Sequence, residues 1–352
     1  MDAILALRLL SEVHRELSQP LHVAFVDLKA AFDSVDRLAL WKALPGISIP
    51  QYLLHLIEDL CNGSTSSVRI ATMQSPSFIT TSGVRQGCVL APALFCRTIM
   101  ERVASTVGFS LGNDHLTDLD YADDVALLAH AVDDLHTALD IFETTESKIG
   151  LHVSWQKTKC QNLAAGDSNS SNLSVSGHSV EEVTEFTYLG SVLSTTGRYK
   201  PDVFRRIGIA SSAMYSMNRV WRQTRLQLET KVHLYQTCNT ACSSVRFGSL
   251  DALTGRFTEA RGPPIFPVSR RNSLFGHVVR LDDHTPARRA LSQVAAVRTG
   301  SCLNSGWRRR PGRPRYSWVQ QIGDGTPFGI RAEWSKASSH GHSRFSAVYA
   351  IR

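Results

Sequence analysis

The sequence predicts a globular fold of the α+β or α/β class, and three observations lead to that prediction. Helical periodicity and short apolar runs alternate over the first two-thirds of the 352 residues. Apolar residues make up 43% of the chain and charged residues 20%, a balance that supports a globular core and argues against general disorder. The length accommodates two domains, or one large domain with appendages. No apolar run reaches the roughly 18 residues that a membrane-spanning helix requires, so we expect no membrane segment.

The first elements follow from the spacing of apolar residues. Leu5, Leu9, Val13 and Leu17 recur every three or four residues, so an amphipathic helix is predicted over 2–17. The next segments are predicted, in order, as a buried strand over 21–26, helices over 30–44 and 51–61, strand-like segments at 68–70 and 77–81, and a helix that begins at Pro92.

The window 115–129 predicts a β-hairpin with an acidic tip. Two apolar stretches flank Tyr121-Ala122-Asp123-Asp124, so both carboxylates are expected at the turn. The following pattern predicts a helix, a second hairpin over 183–193 around Leu189-Gly190, and two helices near 201–221 and 226–242.

The last third of the chain differs in composition and charge. Residues 1–245 contain 20 basic and 25 acidic side chains, whereas 246–352 contain 18 basic and 6 acidic ones, and 17 of those 18 are arginines. Periodicity fails from about Ser243, so this region is predicted to be basic and weakly folded or partly disordered, with short helical pieces near 286–297. Arginine favours a polyanion as partner, because guanidinium binds phosphate in a bidentate manner. A solvated basic face or a nuclear-import signal is an equal alternative.

Cysteine usage and the amino terminus bear on the compartment. The seven cysteines are odd in number and scattered, which is typical of free thiols in a reducing environment. Asp2 and the charged helical start argue against a secretory leader. We therefore expect a nuclear or cytoplasmic protein that is not secreted.

Three aspartates are the candidates for chemistry. Asp27 ends the buried strand, and Asp123 and Asp124 lie at the hairpin tip. A carboxylate at the end of an apolar strand is costly unless it is solvated or paired with a cation, and adjacent carboxylates repel each other. Hard oxygen ligands favour Mg²⁺, and with substrate phosphates such a site can hold two ions about 3.5–4 Å apart. Taken alone, Asp123-Asp124 is more often a simple polar turn.

Successive blocks of the sequence resemble one family in the family's order. The blocks are Phe25-Val26-Asp27-Leu28-Lys29-Ala30-Ala31-Phe32-Asp33, Gly83-Val84-Arg85-Gln86-Gly87-Cys88-Val89-Leu90-Ala91-Pro92, Tyr121-Ala122-Asp123-Asp124, Gly150-Leu151 through Lys157-Thr158, Phe186-Thr187-Tyr188-Leu189-Gly190, and in the last third Phe275-Gly276-His277-Val278 and Gly312-Arg313-Pro314-Arg315-Tyr316-Ser317-Trp318. Together they resemble the reverse transcriptases of non-long-terminal-repeat (LINE-like, RTE-type or related) retrotransposons. The first five blocks span 25–190 and are specific as a set, because five ordered matches rarely arise by chance.

The resemblance implies RNA-directed DNA synthesis with two Mg²⁺ ions, for which Mn²⁺ can substitute. Asp27, Asp123 and Asp124 would hold the ions, with the Leu28 carbonyl as a further ligand. Lys157 is implied as proton donor or charge stabiliser for departing pyrophosphate. An exposed lysine in a polar turn is the competing interpretation of Lys157.

Further implied roles concern nucleotide, template and primer. Phe32 lies where the family has a bulky gate that excludes the ribose 2′-hydroxyl by steric clash, although an ordinary core aromatic explains it equally well without the resemblance. Gln86 and Gly87 are implied along the incoming nucleotide, and Arg85 along template or phosphate unless it forms a surface salt bridge. The other implied residues are Tyr121 for nucleotide or template binding, Tyr188, Leu189 and Gly190 for the primer grip, and Arg308, Arg309, Arg310, Arg313 and Arg315 for general attraction of the tail to nucleic acid.

The resemblance also implies an architecture. A partial fingers and palm domain over 1–194, in which an antiparallel sheet packs on helices, would precede thumb-like helices over 195–245 and the basic region over 246–352. Because the resemblance begins without the family's fingers motifs and upstream endonuclease, we expect an element truncated at the N-terminus, whose palm folds but polymerises poorly or not at all in isolation.

Three classes of function follow. A polymerase would have an RNA template, a DNA primer and deoxynucleoside triphosphates as partners. The first alternative is a catalytically dead remnant that binds RNA or DNA through its basic tail, and the second is an interaction or structural protein without a nucleic-acid role. The sequence indicates no oligomeric state.

Overall fold

In the computed structural model, a six-stranded sheet lies between two layers of helices. The structure describes residues 2–235, with gaps at 48, 87, 89, 105–106, 113, 122, 164–172 and 198–199, and then 268–298, Trp307 and Trp334.

The helices are distributed along the described part of the chain. They are α1 (Asp2–Leu17), α2 (Ala31–Ser34), α3 (Arg37–Ala43), α4 (Gln51–Cys61), α5 (Leu90–Ala104), α6 (Val132–Glu146), α7 (Lys200–Ser216), α8 (Asn218–Trp221), α9 (228–235 as far as it is described), α10 (Val268–Val279) and α11 (Pro286–Arg298). None of the helices in the described part of the chain is both long and apolar enough to cross a bilayer.

The strands form one large sheet and four two-stranded pairs. They are β1 (His22–Asp27), β2 (Thr65–Ser66), β3 (Arg69–Ile70), β4 (Met73–Gln74), β5 (Phe78–Ile79), β6 (Phe109–Leu111), β7 (Asp114–Leu116), β8 (Asp118–Tyr121), β9 (Asp124–Ala129), β10 (Lys159–Asn162), β11 (Leu173–Val175), β12 (His178–Glu182), β13 (Glu185–Tyr188) and β14 (Ser191–Ser194). The order in the large sheet is β11-β12-β10-β1-β9-β8, and every pair in it is antiparallel except β10–β12. The predicted α+β class, an antiparallel-dominated sheet packed on helices, is confirmed.

The core lies on both faces of β1, which is a central strand of the sheet. Val23 and Phe25 pack with the buried faces of α1, α10 and α11. Ala24 and Val26 face the other way and pack with the buried residues of α3, α5 and α6. A strand buried on both faces needs an uninterrupted apolar run, which is why residues 21–26 carry so little polarity.

The prediction of a single helix over 30–44 is wrong. The chain forms α2, becomes extended at Val35 and Asp36, and then begins α3. The Asp36 side chain accepts a hydrogen bond from Ala39 N at 3.1 Å and so acts as the N-cap of α3. An N-cap residue has an extended backbone, so α2 must end before Asp36. The apolar spacing nevertheless continues across this break.

The helical piece predicted near 286–297 is present as α11, whereas the expectation of weak folding is wrong for 268–279, where α10 forms, so that 268–298 is folded. In this segment α11 packs against α1 and α10 packs against α11, and together they bury seven apolar side chains at helical spacing, namely Phe275, Val278, Val279, Ala287, Ala290, Leu291 and Val294. The packing partner explains why α1 has buried residues around most of its circumference. Residues 236–267 and nearly all of 299–352 lie outside the described residues.

Candidate active site

The candidate site begins at the end of the central strand. Asp27, the last residue of β1, pairs directly with Asp124, the first residue of β9. Directly opposed residues of antiparallel strands point to the same face, with Cβ atoms about 4.5–5.5 Å apart. Tyr121 pairs with Asp124 across a two-residue turn, and Asp123 is the second residue of that turn. The register therefore places three carboxylates at one end of the sheet.

A cavity of about 660 Å³ opens over these carboxylates. It is lined by Phe25, Val26, Asp27, Tyr121, Asp123, Asp124, Val125, Lys157, Phe186, Thr187, Tyr188, Leu189 and Gly190. Four of the sequence blocks described above, distant along the chain, thus meet at one cavity.

Backbone hydrogen bonds at the end of β1 bring Lys157 to Asp27. Ser154 N donates to Asp27 O at 2.7 Å, and Lys29 N donates to His152 O at 2.8 Å, so the segment 152–154 runs beside β1. A turn then returns the chain, and the Lys157 Nζ lies 3.2 Å from Asp27 Oδ2. The Lys157 side chain is 72% exposed, so this ion pair adds little stability and leaves the ammonium mobile.

The carboxylates fit a divalent cation in their chemistry. Asp27 Oδ2 is buried, and although Lys157 lies within ion-pair distance, the oxygen accepts no hydrogen bond. A buried carboxylate oxygen without a donor is stabilised by a nearby cation. Within the described residues, no three His, Cys, Asp or Glu side chains lie close enough together to hold an ion as they stand.

The turn between β13 and β14 also lines the cavity. Leu189 and Gly190 have φ values of +48° and +76°, the left-handed pair that a two-residue type I′ turn requires. The Tyr188 hydroxyl is buried and donates to Leu119 O at 2.9 Å, which ties this hairpin to β8. The turn is thereby fixed to the same sheet that carries the carboxylates.

Aromatic rings fill the space below that turn. Phe25 of β1 stacks on Phe186 with ring centroids 4.3 Å apart, and its centroid lies 5.2 Å from that of Tyr188. Phe186 is partly buried and also lines the cavity. The cavity therefore has one acidic and one aromatic wall.

The comparison with known families agrees with this geometry. Residues 2–193, more than half of the chain, match the family "Reverse transcriptase (RNA-dependent DNA polymerase)". The chain belongs to the reverse transcriptase family. In this family's terms the sheet and its helices are the polymerase palm, and the predicted resemblance is confirmed.

The curated relatives of this chain come from retrotransposable elements. It is 29% identical over 147 residues to the Pol polyprotein of the type-1 element R2 of Nasonia vitripennis, and this match covers 41% of the chain and 14% of the relative. The type-2 element R2DM of Drosophila melanogaster is 26% identical over 202 residues, which cover 53% of the chain and 19% of the relative. The RNA-directed DNA polymerase of the mobile element jockey of Drosophila funebris is 25% identical over 60% of the chain and 24% of its own length. The matched part is thus a quarter or less of these relatives.

Solved structures give a weaker likeness. Apo telomerase from Candida tropicalis, truncated from its C-terminal domain, superposes with a TM-score of 0.37 and 19% identity, over 54% of this chain and 38% of that chain. A likeness at this level bears on neither fold nor function.

Several predicted nucleotide- and template-binding residues do not line the cavity. Leu28 is buried and forms a β-bridge with Val153. Phe32 is partly buried and packs edge-on against Phe95, with centroids 5.9 Å apart. Arg85 and Gln86 are exposed outside it. Gly87 and the tail residues Arg308, Arg309, Arg310, Arg313 and Arg315 lie outside the described residues.

Gly83 nevertheless holds the Arg85-Gln86 loop against the segment that carries Phe32. Val84 N donates to Phe32 O at 2.6 Å. Gly83 has a φ of +77°, and a Cβ at this position would lie 2.7 Å from Phe32 O. Only glycine combines that backbone conformation with this close approach.

Arg37 is a site-supporting residue that the sequence analysis missed. Its guanidinium donates to Gly83 O at 2.7 Å, to Cys61 O and Thr80 O at 2.9 Å each, and to Ser64 Oγ at 3.1 Å. These bonds fix the base of the 65–79 strands and the start of the Gly83 loop together. All four acceptors are distant in sequence, so no local pattern could have indicated this role.

Proposed function

We propose that this member of the reverse transcriptase family extends a primer with deoxynucleotides on an RNA template. The observation that carries the proposal is the meeting of Asp27, Asp123 and Asp124 with Lys157 in a cavity that the 188–190 turn also lines. Phosphoryl transfer depends mainly on positioning and charge neutralisation, and this arrangement offers both.

Each group at the cavity has a proposed task. Asp27, Asp123 and Asp124, with the Leu28 carbonyl nearby, would hold two Mg²⁺ ions, or Mn²⁺ in their place, which when bound supply charge neutralisation for the attacking and leaving oxygens. Lys157, close to the carboxylates and exposed, would donate a proton to pyrophosphate or stabilise its charge.

The substrates would lie around this centre. Tyr188, Leu189 and Gly190 would support the primer end, and Tyr121 would contact nucleotide or template. Arg85, Gln86 and Gly87 would contact nucleotide or template, with the ring of Phe32 excluding ribonucleotides by steric clash. The arginines of the basic C-terminal region would attract the nucleic-acid backbone, and priming on chromosomal DNA would require a nuclear location.

Primer extension tests the proposal. On an RNA template with Mg²⁺ and deoxynucleotides, the wild-type chain should extend the primer slowly, in line with the poor polymerisation expected above. Asp123→Asn should lower this slow rate further, by up to about a thousand-fold, because a neutral amide binds a divalent cation weakly. Asp133→Asn, an exposed aspartate at the start of α6, is the matched control and should extend as wild type does. Equal rates for the two variants would contradict the assigned role of Asp123.

The charge distribution favours one second candidate function. Residues 246–352 carry a net charge of +12, so binding of RNA or DNA without synthesis is the alternative. If the wild-type chain binds RNA with an affinity that falls steeply with salt and extends no primer, the polymerase proposal is rejected in favour of this one.

A further inference from the structure

A buried charge cluster lies beside the 188–190 turn. Asp202, in the first turn of α7, has no solvent-exposed side-chain surface. Its Oδ2 lies 3.2 Å from the Arg8 Nη2 of α1 and 3.1 Å from the Arg206 Nε of α7. Asp202 lies outside residues 2–193, which match the family.

The same carboxylate holds the start of β14. Asp202 Oδ1 accepts a hydrogen bond from Val192 N at 2.9 Å, and Oδ2 accepts one from Ser191 Oγ at 3.3 Å. Arg8 Nη2 also donates to Ser191 Oγ at 2.6 Å. Ser191 follows Gly190 directly, so these bonds act on the turn that lines the cavity.

A second contact from α7 reaches the turn itself. Arg205 Nη1 donates to Gly190 O at 3.2 Å. Two side chains of α7 therefore hold the turn. Arg205 binds the Gly190 carbonyl, and Asp202 binds Ser191 and Val192, the two residues that follow the turn. The Asp202 carboxylate is therefore contacted by residues of three elements, namely α1, α7 and β14.

The energetics indicate a role in geometry rather than in stability. Burial lowers the pKa of Arg8, and the charge of Arg206 lowers it further while Asp202 opposes the shift. Burying two guanidinium groups with one carboxylate is costly, and apolar replacements of such clusters are often as stable or more stable. What an apolar cluster cannot supply is an acceptor for Val192 N and Ser191 Oγ in a single fixed position.

We propose that Asp202 is a positioning residue that fixes the 188–190 turn, and with it the primer 3′ end, relative to Asp27, Asp123 and Asp124. The inference rests on the proposed function, because it assigns the primer end to this turn. Asp202 touches no substrate and acts through Ser191 and Val192. A displacement of about 1 Å at a reacting centre can cost a hundred-fold in rate, so small movements of the turn matter.

Two substitutions and one matched control test this role. Asp202→Asn weakens the contacts to both arginines and removes the charge. Ser191→Ala removes only the hydroxyl and leaves both ion pairs intact. Ser194→Ala is the control, because Ser194 is a buried serine of the same strand whose hydroxyl bonds to Thr196 Oγ1 and not to Asp202.

Hydrogen exchange measures the turn directly. Amide protection over 189–192 should fall about ten-fold in Asp202→Asn and less in Ser191→Ala, with no change in Ser194→Ala or in β1. Unchanged protection over 189–192 in Asp202→Asn would overturn the proposal. This measurement needs no catalysis, so it decides the role of Asp202 in holding the turn even if the polymerase proposal fails.

Single-turnover primer extension separates positioning from folding. Asp202→Asn should lower the extension rate constant about a hundred-fold and Ser191→Ala about ten-fold, with the half-saturating deoxynucleotide concentration unchanged. A lower reaction amplitude at a wild-type rate constant would overturn the proposal, because loss of folded protein alone has that effect.

An apolar replacement of the whole cluster covers the case in which Asp202→Asn does not fold. The variant Arg8→Met, Asp202→Leu, Arg206→Met should melt at or above the wild-type temperature yet show fast exchange at Val192 and slow extension. Wild-type exchange and extension in this variant would show that Asp202 is dispensable and would overturn the proposal.

Discussion

At the scale of single residues, two buried titratable side chains have pKa values shifted in opposite directions. Burial is the main cause that lowers the pKa of His14 to about 4, although its hydrogen bond to Leu10 O opposes the shift. Burial also raises the pKa of Glu146 to about 7, although Val153 N donates to its Oε1 at 2.7 Å. Both groups are therefore favoured in their neutral forms in the folded state.

The two shifts act on stability with opposite signs. His14 binds a proton less readily when folded, so its contribution is lost as the pH falls from about 6.5 towards 4. Glu146 binds a proton more readily when folded, so its contribution is present below about pH 4.5 and is lost as the pH rises through 7. Between pH 4.5 and 6.5 the two effects oppose each other and flatten the pH profile.

Substitution of Glu146 should expose the effect of His14. The unfolding free energy of Glu146→Gln minus that of wild type should increase by about 2 to 3 kcal/mol as the pH rises from 4.5 to 8. The reason is that wild type loses stability when Glu146 ionises, whereas the amide cannot ionise. Urea unfolding at pH 4.5, 6 and 8 measures this gain, with the exposed Glu101→Gln of α5 as the control that should show none. The same stability difference from wild type at all three pH values would contradict the raised pKa.

Local patterns predicted part of the candidate site at this scale. An acid after an apolar run and an acidic pair at a hairpin tip placed Asp27, Asp123 and Asp124 at the ends of strands. Arg37 and Asp202 could not be predicted, because their acceptors and donors lie in segments far away in sequence. Their roles arise only when the fold brings those segments together.

At the scale of elements, α11 contributes more to the core than its composition indicates. It packs against α1 as extensively as strands in the sheet pair with each other, and Leu291 has no exposed surface. The residues that match the family end at 193, whereas the core on this face of the sheet continues to Val294. The C-terminal helices are therefore structural parts of the palm core and not an appendage.

Truncation of one α11 side chain tests that conclusion. Leu291→Ala should lower the unfolding free energy by about 2 to 5 kcal/mol, because it removes buried methyl groups and leaves a cavity. Leu228→Ala, in α9, is the control, since Leu228 is 75% exposed and should change stability by less than about 0.5 kcal/mol. Equal effects of the two substitutions in urea unfolding would mean that α11 is not packed on α1.

Helical and strand periodicity predicted most elements, and the failures have physical causes. The helix over 2–17 and both hairpins follow from spacing alone and are present as α1, β8–β9 and β13–β14. The break at Asp36 was missed because capping overrode a continuous apolar pattern. The missed helix, α10, starts in a stretch rich in arginine and serine, so only its C-terminal half carries the apolar spacing.

At the scale of the whole molecule, positive charge is concentrated at one end of the chain. The net charge of +7 combines −5 over 1–245 with +12 over 246–352. The proposed metal site draws on carboxylates of the acidic part, while the proposed template, a polyanion, would be attracted by the basic part.

The basic end should govern the salt dependence of RNA binding. Replacement of Arg308, Arg309, Arg310, Arg313 and Arg315 by Gln should reduce the slope of log affinity against log salt by up to about 3.5, because each phosphate contact to a single strand contributes about 0.7. Fluorescence anisotropy with a labelled RNA, over about 50 to 200 mM salt, measures this slope. Lys42→Gln with Lys148→Gln, two exposed lysines, is the control. An unchanged slope in the five-arginine variant would remove the tail from the binding surface.

The position of β8 has a consequence for self-association. Within the described residues, β8 is the last strand of the sheet, and an open strand border can recruit a neighbouring molecule through its free carbonyl and amide groups. Asp118 and Asp120 alternate with Leu119 along β8, and charged residues on an outer strand oppose such recruitment. The strand to which Tyr188 anchors the cavity wall therefore also carries the charge that opposes intermolecular strand addition to the palm.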